Sequence, residues 1–251
     1  MSVTAILSAL AEEQQGLIEQ LVHPVAIHRA GRVFWRGELV GRPVVLALSK
    51  IGKVAAATTA TTLIEAFGVA RIVFTGVAGG VGPGVVVGDA VVATGFVQHD
   101  LDASPLFPRY EVPLYDRRQF DCDGALTAIL LEATCAALVR ARGQFGQKFK
   151  RERPVVHAGL IASGDRFVSS AIESRCLLDG LKDVGLAPLA VEMEGAAVAQ
   201  VCHDYGVPFA AVRTISDCAD DQAPQDFSRF VREVASPCAR AIIQKLMPML
   251  L

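Results

Sequence analysis

The chain has 251 residues, of which 52% are hydrophobic and 20% are charged, and its formal net charge is −2. This length and composition exclude a disordered protein and predict one large α/β domain with a substantial core over residues 1–251. The small net charge gives no reason to expect a nucleic acid or an anionic membrane surface as a partner, and no apolar run is long enough for a membrane span.

The cysteines and histidines indicate a protein without disulfides or metals. The six cysteines are scattered with no Cys-x-x-Cys pair, so we expect free thiols and a cytoplasmic protein. The five histidines have no metal-ligand spacing, and we expect neither a metal nor another cofactor. The first residues, Met1-Ser-Val-Thr-Ala-Ile-Leu7, lack the basic start of a signal peptide and predict a strand.

Two acidic residues follow the first predicted strand, which runs from Val3 to Ala9. Glu12 and Glu13 begin a predicted helical stretch that ends near Val22. Acids at a helix start are favoured by the helix dipole, which is one explanation of the two glutamates. The other is that one of them lies at the carboxyl end of the strand and faces a ligand pocket. The position alone leaves both explanations open.

Apolar patterns predict the next elements as short strands between His23 and Gly41, a strand from Arg42 to Leu48, a helix from Val54 to Phe67 and a buried strand from Val69 to Phe74.

A glycine-rich loop, Thr75-Gly-Val-Ala-Gly-Gly-Val-Gly-Pro-Gly84, is predicted to follow that strand. A dinucleotide-binding turn would need a helix directly after the glycines, with its N-terminus at the pyrophosphate. The next residues, Val85 to Phe96, instead predict a strand interrupted at Gly88-Asp89, which disfavours a nicotinamide cofactor. Glycines alternatively let the backbone approach a small ligand closely.

Two segments in the middle of the chain have no clear periodicity. Gln98 to Phe120 carries three prolines and four aromatic residues, and so long an irregular segment suits a lid or a subunit contact. Arg140 to Arg153 holds six basic residues and is predicted to be a solvated loop, because so local a charge does not argue for RNA or DNA. An amphipathic helix is predicted between them, from Gly124 to Arg140.

The last part of the chain is predicted to continue the alternation of strands and helices. A strand from Val155 to Ala162 ends in Ser163-Gly-Asp-Arg-Phe167, and helices are predicted from Ser169 to Lys182 and from Asp226 to Leu246.

We expect the chemistry between Leu189 and Asp217. This stretch predicts strand, helix and strand, and a unit of that length is a crossover that places two parallel strands side by side. Ligands of open parallel sheets lie beyond the carboxyl ends of the strands. One strand ends on Glu192, Met193 and Glu194, and the other on Ser216 and Asp217, so the acids are expected to face a common pocket.

Short motifs along nearly the whole chain occur in an order that one enzyme superfamily shares. They are Ala9-Leu-Ala-Glu-Glu13, Ser49-Lys-Ile-Gly-Lys-Val-Ala-Ala-Ala57, Thr75-Gly-Val-Ala-Gly-Gly80, Val87-Gly-Asp89, Ser163-Gly-Asp-Arg-Phe167, Val191-Glu-Met-Glu194 and Ile215-Ser-Asp217. In these residues the chain resembles the purine nucleoside phosphorylase/uridine phosphorylase superfamily. It is most similar to the hydrolytic branch, the 5′-methylthioadenosine/S-adenosylhomocysteine nucleosidases.

The resemblance implies a single α/β domain of three layers (αβα) around a mixed, mostly parallel twisted sheet. It implies hydrolysis of the N-glycosidic bond of 5′-methylthioadenosine or S-adenosylhomocysteine, which releases adenine and a 5-thio-substituted ribose without a cofactor. It also implies a homodimer, in which a loop of the partner subunit near Phe107 closes the pocket.

The resemblance assigns the acidic residues to separate roles. Glu13 corresponds to the general base that activates the attacking water, Asp217 to the acid that protonates or hydrogen-bonds the purine ring nitrogen, and Glu194 to the carboxylate that binds the ribose hydroxyls. Asp217 must then hold a proton near neutral pH, which requires burial and a raised pKa.

The other implied contacts surround the nucleoside. Met193 packs under the sugar, while Phe167 and Val168 contact the adenine. The remaining assignments place Ala78 and Gly79 along the ligand, Ile51, Leu10 and Phe227 in the apolar slot for the 5′-alkylthio group, and Arg213 and Ser216 where they orient the acids.

Some positions depart from the pattern of the superfamily. Val77 stands where the hydrolases usually have Ser and the phosphorylases a polar residue, and the phosphorylases' N-terminal Gly-Asp-Pro-x-Arg turn has no counterpart. Both differences favour water over phosphate as the nucleophile. Leu10-Ala11 replaces the common Met-Glu, and the stretches His99–Tyr115 and Arg140–Arg153 differ from the short bacterial form.

Three alternatives stay open at this point. The chain could cleave another purine nucleoside by hydrolysis or by phosphorolysis, or it could bind nucleosides without catalysis, although all three acids are present. A nicotinamide-dependent oxidoreductase rests on the glycine loop alone.

Overall fold

Ten β-strands form the centre of the protein in a computed structural model, which describes residues 2–145, 154–220, 223 and 230–250. The strands are β1 (Thr4–Ser8), β2 (Val22–Arg29), β3 (Arg32–Leu39), β4 (Arg42–Leu48), β5 (Arg71–Gly80), β6 (Ala90–Gln98), β7 (Gln119–Asp121), β8 (Val156–Ser163), β9 (Ala190–Glu192) and β10 (Phe209–Asp217). The α-helices are α1 (Lys53–Phe67), α2 (Gly124–Phe145), α3 (Ala171–Lys182), α4 (Gly195–Tyr205) and α5 (Ser236–Leu246).

The strands form one mixed sheet that closes on itself at one end. From the outer edge the order is β2, β3, β4, β1 and β5, and β5 then pairs with both β9 and β10. The pairs β10–β6, β6–β8 and β8–β9 complete a ring of five strands. Of the strand pairs among the described residues, five are parallel and five antiparallel. The predicted mixed sheet is confirmed, with a larger antiparallel share than expected.

Helices cover both faces of the sheet. Successive side chains of a strand point to opposite faces, so one strand contacts helices on both sides. In β1, Ile6 packs in a cluster with side chains of α2 and α5. Its neighbours Ala5 and Leu7 pack in a second cluster with side chains of α1 and α4. Full burial of one such aliphatic side chain contributes roughly 1.5–3 kcal/mol, so a strand that is apolar on both faces is held from both sides. The three-layer αβα architecture is therefore confirmed. None of the described helices is both long and apolar enough to cross a bilayer.

The prediction that β9 and β10 are parallel neighbours is wrong. β5 lies between them, antiparallel to β9 and parallel to β10, so that Gly79 is paired with Val191 on one side and Asp217 on the other. Helix α4 does connect the two strands, but β9 and β10 run in opposite directions, so the connection is not a parallel crossover. β9 has only three residues and pairs with β5 and β8 instead. The acidic strand ends still meet, because both flank the end of β5.

The glycine-rich segment after Phe74 is a strand rather than a loop as far as Gly80. Here β10 and β9 pair with both edges of β5, and such ladders supply the backbone hydrogen bonds that decide the conformation. A β-carbon on Gly80 would lie 3.0 Å from Cγ2 of Ile215 and 3.1 Å from Cγ1 of Val85. The glycines thus allow close packing, and the expectation of a loop was wrong for this part.

Other predicted boundaries also change. The helical stretch after Glu12 consists of two short 3₁₀ turns, Ala11–Gln14 and Ile18–Gln20, and Val22 already belongs to β2. Helix α2 continues to Phe145, so the first part of the predicted basic loop Arg140–Arg153 is helical, and the rest of that loop lies outside the described residues. In the described part of the predicted C-terminal helix, Phe230 is helical, a π-helical turn runs from Val231 to Ala235, and α5 follows. Phe227 also lies outside the described residues.

Candidate active site

A cavity of about 380 Å³ opens where β1, β5, β9 and β10 end. It is lined by Ala9, Leu10, Glu13, Ile51, Val77, Ala78, Gly79, Arg166, Phe167, Val168, Val191, Glu192, Met193, Glu194, Ser216 and Asp217. All of the candidate site residues that the structure describes line it except Arg213. The three acids that are far apart in the sequence therefore face one space, in a cavity whose size is typical of small-molecule sites.

The carboxylate of Glu13 is buried and held by backbone amides. Its Oε2 accepts hydrogen bonds from the amides of Ala9 at 2.8 Å and Leu10 at 2.9 Å, and its Oε1 accepts one from the amide of Val77 at 3.1 Å. A β-carbon on Gly76 would come within 2.9 Å of Oε1, so this position needs a glycine. The two explanations of Glu13 turn out to be compatible, because it caps the first 3₁₀ turn and also lines the cavity.

Burial raises the pKa of Glu13 above its ordinary value. The backbone amides and the nearby charge of Arg213 act in the opposite direction, since they stabilise the charged form, but burial is the larger effect. Glu12, in contrast, is exposed and has no place in the cavity.

Glu194 directly precedes α4 and connects the cavity to the start of α1. Its Oε1 accepts a hydrogen bond from the amide of Gly52 at 2.9 Å. Burial, and secondly the charge of Glu192, raise the pKa of Glu194 to about 8. A carboxyl group with this pKa carries a proton for much of the time at neutral pH, so it can donate as well as accept a hydrogen bond.

Glu192 is fully engaged within the protein. Its Oε2 lies 2.6 Å from Nη2 of Arg213, and both side chains are buried. It also accepts hydrogen bonds from the hydroxyl of Ser163 and from the amide of Gly195, which begins α4. The helix dipole and these donors stabilise its negative charge.

Arg213 does not line the cavity, and its contact with Glu192 agrees with the prediction that it orients the acids. Its guanidinium is 1% exposed and lies over the ring of Phe74, with Cζ 4.1 Å from the ring centroid. It can act on a bound molecule only through Glu192 and through its charge, which opposes the raised pKa of both Glu13 and Glu194.

Asp217 is buried at the end of β10, as the predicted role requires. Its Oδ2 accepts a hydrogen bond from the hydroxyl of Ser216 at 2.8 Å, and its Oδ1 accepts one from the amide of Ala219 at 2.8 Å. The predicted position of Ser216, where it orients the acid, agrees with this contact.

The comparisons with known proteins agree with this geometry. Residues 3–247 match the sequence profile of the Phosphorylase superfamily. The chain belongs to this superfamily.

Similar members of the superfamily cover nearly the whole chain. A 5′-methylthioadenosine/S-adenosylhomocysteine nucleosidase of Shewanella halifaxensis is 32% identical over 243 residues, which are 96% of this chain and 97% of the relative. An aminodeoxyfutalosine nucleosidase of Helicobacter pylori is 36% identical over 242 residues, which are 96% of each chain. The crystal structure of the 5′-methylthioadenosine/S-adenosylhomocysteine nucleosidase from Neisseria meningitidis in complex with methylthio-immucillin-A has a TM-score of 0.85 and 34% sequence identity, with 100% of both chains covered.

Sequence reasoning missed three residues that tie together the loops around the cavity of this superfamily member. Lys53 Nζ lies 2.6 Å from Asp100 Oδ1, and Asp100 Oδ2 accepts a hydrogen bond from the amide of Asp165 at 2.8 Å. Asp165 in turn accepts one from the amide of Lys53 at 2.8 Å. Asp165 could have been found from its place in the Ser163-Gly-Asp-Arg-Phe167 motif. Asp100 could not, because it falls in a segment without periodicity.

Three further lining residues, Ala9, Val191 and Arg166, were not singled out from the sequence, whereas Glu192 lines the cavity as its place at the strand end predicts. Arg166 is largely exposed and pairs with Glu173 of α3, with 2.7 Å between Nη2 and Oε1. Among the residues that the structure describes, no three His, Cys, Asp or Glu side chains form a group that could hold a metal ion.

Proposed function

We propose that the protein hydrolyses the N-glycosidic bond of 5′-methylthioadenosine or S-adenosylhomocysteine and releases adenine and a 5-thio-substituted ribose. The observation that carries the proposal is the convergence of Glu13, Glu194 and Asp217 on one cavity with largely apolar walls. Relatives named as nucleosidases of these compounds match over nearly the full length of the chain.

The geometry supports a division of labour between two acids. Cleavage of the bond builds positive charge on the sugar and negative charge on the purine. Glu13 takes a proton from water as the water oxygen bonds to the anomeric carbon. Asp217 donates a proton to the purine as the carbon–nitrogen bond breaks. Each proton transfer of this kind contributes about 10²–10⁴ in rate.

Glu194 and the neutral walls are assigned to binding. Glu194, with its pKa raised to about 8, has both a donor and an acceptor for the two ribose hydroxyls. Met193 packs under the sugar, and Phe167 and Val168 contact the adenine. The apolar slot for the 5′ substituent is assigned to Leu10 and Ile51, with Phe227 as a predicted further member, while Ala78 and Gly79 lie along the ligand.

The apolar side chain of Val77 favours water as the nucleophile. Its side chain lines the cavity beside Glu13, where a hydroxyl group would otherwise be available for a phosphate oxygen. Adenine release from 5′-methylthioadenosine, measured with and without phosphate, tests the proposal. We expect equal rates in both conditions. An absolute requirement for phosphate would overturn the hydrolase assignment in favour of phosphorolysis.

We further propose that residues 1–251 form a single domain and that the protein is a cytoplasmic homodimer. The match over residues 3–247 supports a single domain, and the scattered cysteines support a cytoplasmic location. The segment between β6 and β7 exposes Leu106 by 85% and Leu114 by 87%, and exposed apolar side chains near Phe107 suit a subunit contact. Light scattering at several concentrations tests the dimer.

A second candidate substrate is aminodeoxyfutalosine. The Helicobacter pylori relative that is named as an aminodeoxyfutalosine nucleosidase is 36% identical over 96% of this chain.

A further inference from the structure

The first turn of α1 receives its capping carboxylates from distant parts of the chain. The residue before the helix is Gly52, which has no side chain that could bond the first amides, and the first turn contains no acid. Instead, Glu194 accepts a hydrogen bond from the amide of Gly52 at 2.9 Å, and Asp165 accepts one from the amide of Lys53 at 2.8 Å. Two amides that the helix itself leaves without partners are thereby satisfied by segments around the active site.

Gly52 depends on these contacts for its conformation. Its φ is +95°, a value that glycine adopts readily, and glycine has the largest conformational freedom of any residue. The direction of its amide is therefore not fixed by its own backbone. Oδ1 of Asp165 bonds the amide of Lys53 and lies where a β-carbon on Gly52 would come within 3.1 Å of it. Asp165 thus holds the peptide between Gly52 and Lys53 in place, and with it the amide that bonds Glu194.

Asp165 is itself held by the segment that follows β6. Its amide donates to Oδ2 of Asp100 at 2.8 Å, and Oδ1 of Asp100 lies 2.6 Å from Nζ of Lys53. Although burial acts to raise the pKa of Asp100, its hydrogen bonds from Lys53 and from the amide of Asp165, together with the charge of Lys53, hold that pKa below its ordinary value. Lys53, Asp100 and Asp165 therefore form a closed ring of contacts, and Asp165 cannot turn away from α1 without breaking it.

The orientation of Glu194 depends on the bond that this ring maintains. Glu194 is the side chain assigned to the two ribose hydroxyls, and one carboxyl group reaches both of them only in a narrow range of orientations. The amide of Gly52 holds Oε1 of Glu194 at 2.9 Å and so limits rotation of the carboxyl group. Such limits matter, because a displacement of about 1 Å in a binding group is enough to weaken the reaction strongly.

We propose that Asp165 is a positioning residue that sets the preference of the active site for ribose over deoxyribose sugars. Asp165 does not line the cavity. It acts through Gly52, whose amide keeps Glu194 directed at the ribose hydroxyls. The inference rests on the proposed function and deepens it, because it names a determinant of sugar selectivity that lies outside the cavity.

The test compares two substrates that differ only in the sugar. One is 5′-methylthioadenosine, and the other is its 2′,3′-dideoxy analogue, which keeps the purine and the 5′ group but lacks both hydroxyls. We expect Asp165→Ala to lower kcat/KM for 5′-methylthioadenosine about tenfold, because one well-placed hydrogen bond contributes up to about that factor, and to leave the value for the analogue nearly unchanged. Adenine release measures both values. If the unaltered protein does not cleave the analogue, its inhibition constant takes the place of kcat/KM.

Three further variants locate the effect. Asp165→Asn keeps a side-chain oxygen that can accept the bond from the amide of Lys53, so it should restore most of the preference for the ribose compound. Lys53→Met removes the ammonium group from Asp100 but keeps the amide, and it should lower the preference by a smaller factor, about threefold. Asp102→Ala is the matched control, because Asp102 lies on the same segment as Asp100 but bonds the amide and the hydroxyl of Ser104. It should leave the preference unchanged.

The outcomes separate this inference from the proposed function. Losses in Asp165→Ala that are equal for the two compounds, or a preference that Asp165→Asn fails to restore, overturn the inference while the nucleosidase stands. Absence of adenine release from 5′-methylthioadenosine by the unaltered protein contradicts the proposed function instead. In that case calorimetric affinities of the two compounds for the unaltered protein and for Asp165→Ala decide the inference, and equal losses of affinity overturn it.

Discussion

Gly79 and Asp217 are paired across β5 and β10, and the space between them admits no β-carbon. A β-carbon on Gly79 would lie 2.9 Å from Oδ1 of Asp217 and 3.1 Å from the β-carbon of Ala219. The position of the proposed acid therefore depends on the absence of a side chain on the neighbouring strand.

We predict that Gly79→Ala lowers kcat by about 10²-fold, because a displacement of the acid by about 1 Å is enough for such a loss. Steady-state rates of adenine release measure it. Gly124→Ala is the control, since a β-carbon there would meet no atom within 4 Å. A rate for Gly79→Ala equal to that of Gly124→Ala would show that the contact between Gly79 and Asp217 has no catalytic consequence.

The closely packed glycine could not be recognised from the sequence alone. Five glycines in ten residues predict a loop from local propensity, whereas the pairing of β5 with β9 and β10 makes the first part a strand. Pairing between distant strands is not encoded in local periodicity. For the same reason the predicted order of strands was wrong. β9 and β10 were expected to be neighbours, but β5 lies between them.

Other features were predictable because local pattern and burial agree. The apolar run Val44–Leu48 forms most of β4, since the part of a strand that is covered on both faces needs apolar side chains on both faces. The expectation that Glu194 and Asp217 face one pocket came from their places at strand ends, whereas the place of Glu13 in the same site followed from the resemblance of the motifs. The engagement of Glu192 by Arg213 did not, because neither residue type nor spacing indicates which acid is paired.

We predict that Asp217→Asn and Glu13→Gln each lower kcat by about 10²–10⁴-fold, because each removes one proton transfer. Binding should be largely retained, since both replacements keep the shape of the side chain. Adenine release gives the rate, and calorimetry with 5′-methylthioadenosine gives the affinity. If both variants turned over at the normal rate, the assignment of acid and base would be wrong.

The buried pair of Glu192 and Arg213 leads to a prediction about stability. Arg213→Met leaves the Glu192 carboxylate buried without its cation, and loss of one partner of such a pair costs about 3–5 kcal/mol of unfolding free energy. Urea denaturation followed by circular dichroism measures the difference.

The double replacement of Glu192→Gln with Arg213→Met should recover part of that loss, because no uncompensated charge remains. Losses that simply add in the double variant would mean that the two side chains contribute independently, despite the 2.6 Å between them.

The raised pKa of Glu194 predicts how stability depends on pH. Its pKa is about 8 in the folded protein, compared with an ordinary value of 4.5 that applies to the unfolded chain. Between these two pH values the folded state therefore binds more protons than the unfolded state. Unfolding free energy should therefore fall as pH rises from about 4.5 to about 8, by an amount on the order of a few kcal/mol, and level off above that.

Glu194→Gln should flatten this part of the profile, because an amide does not titrate. The raised pKa of Glu13 acts in the same direction, so the difference between the unaltered protein and Glu194→Gln isolates the contribution of Glu194. Thermal melting at pH 5, 6, 7 and 8 measures it. Parallel profiles for the two proteins would place the pKa of Glu194 near its ordinary value, and the carboxyl group could then only accept hydrogen bonds from the ribose at neutral pH.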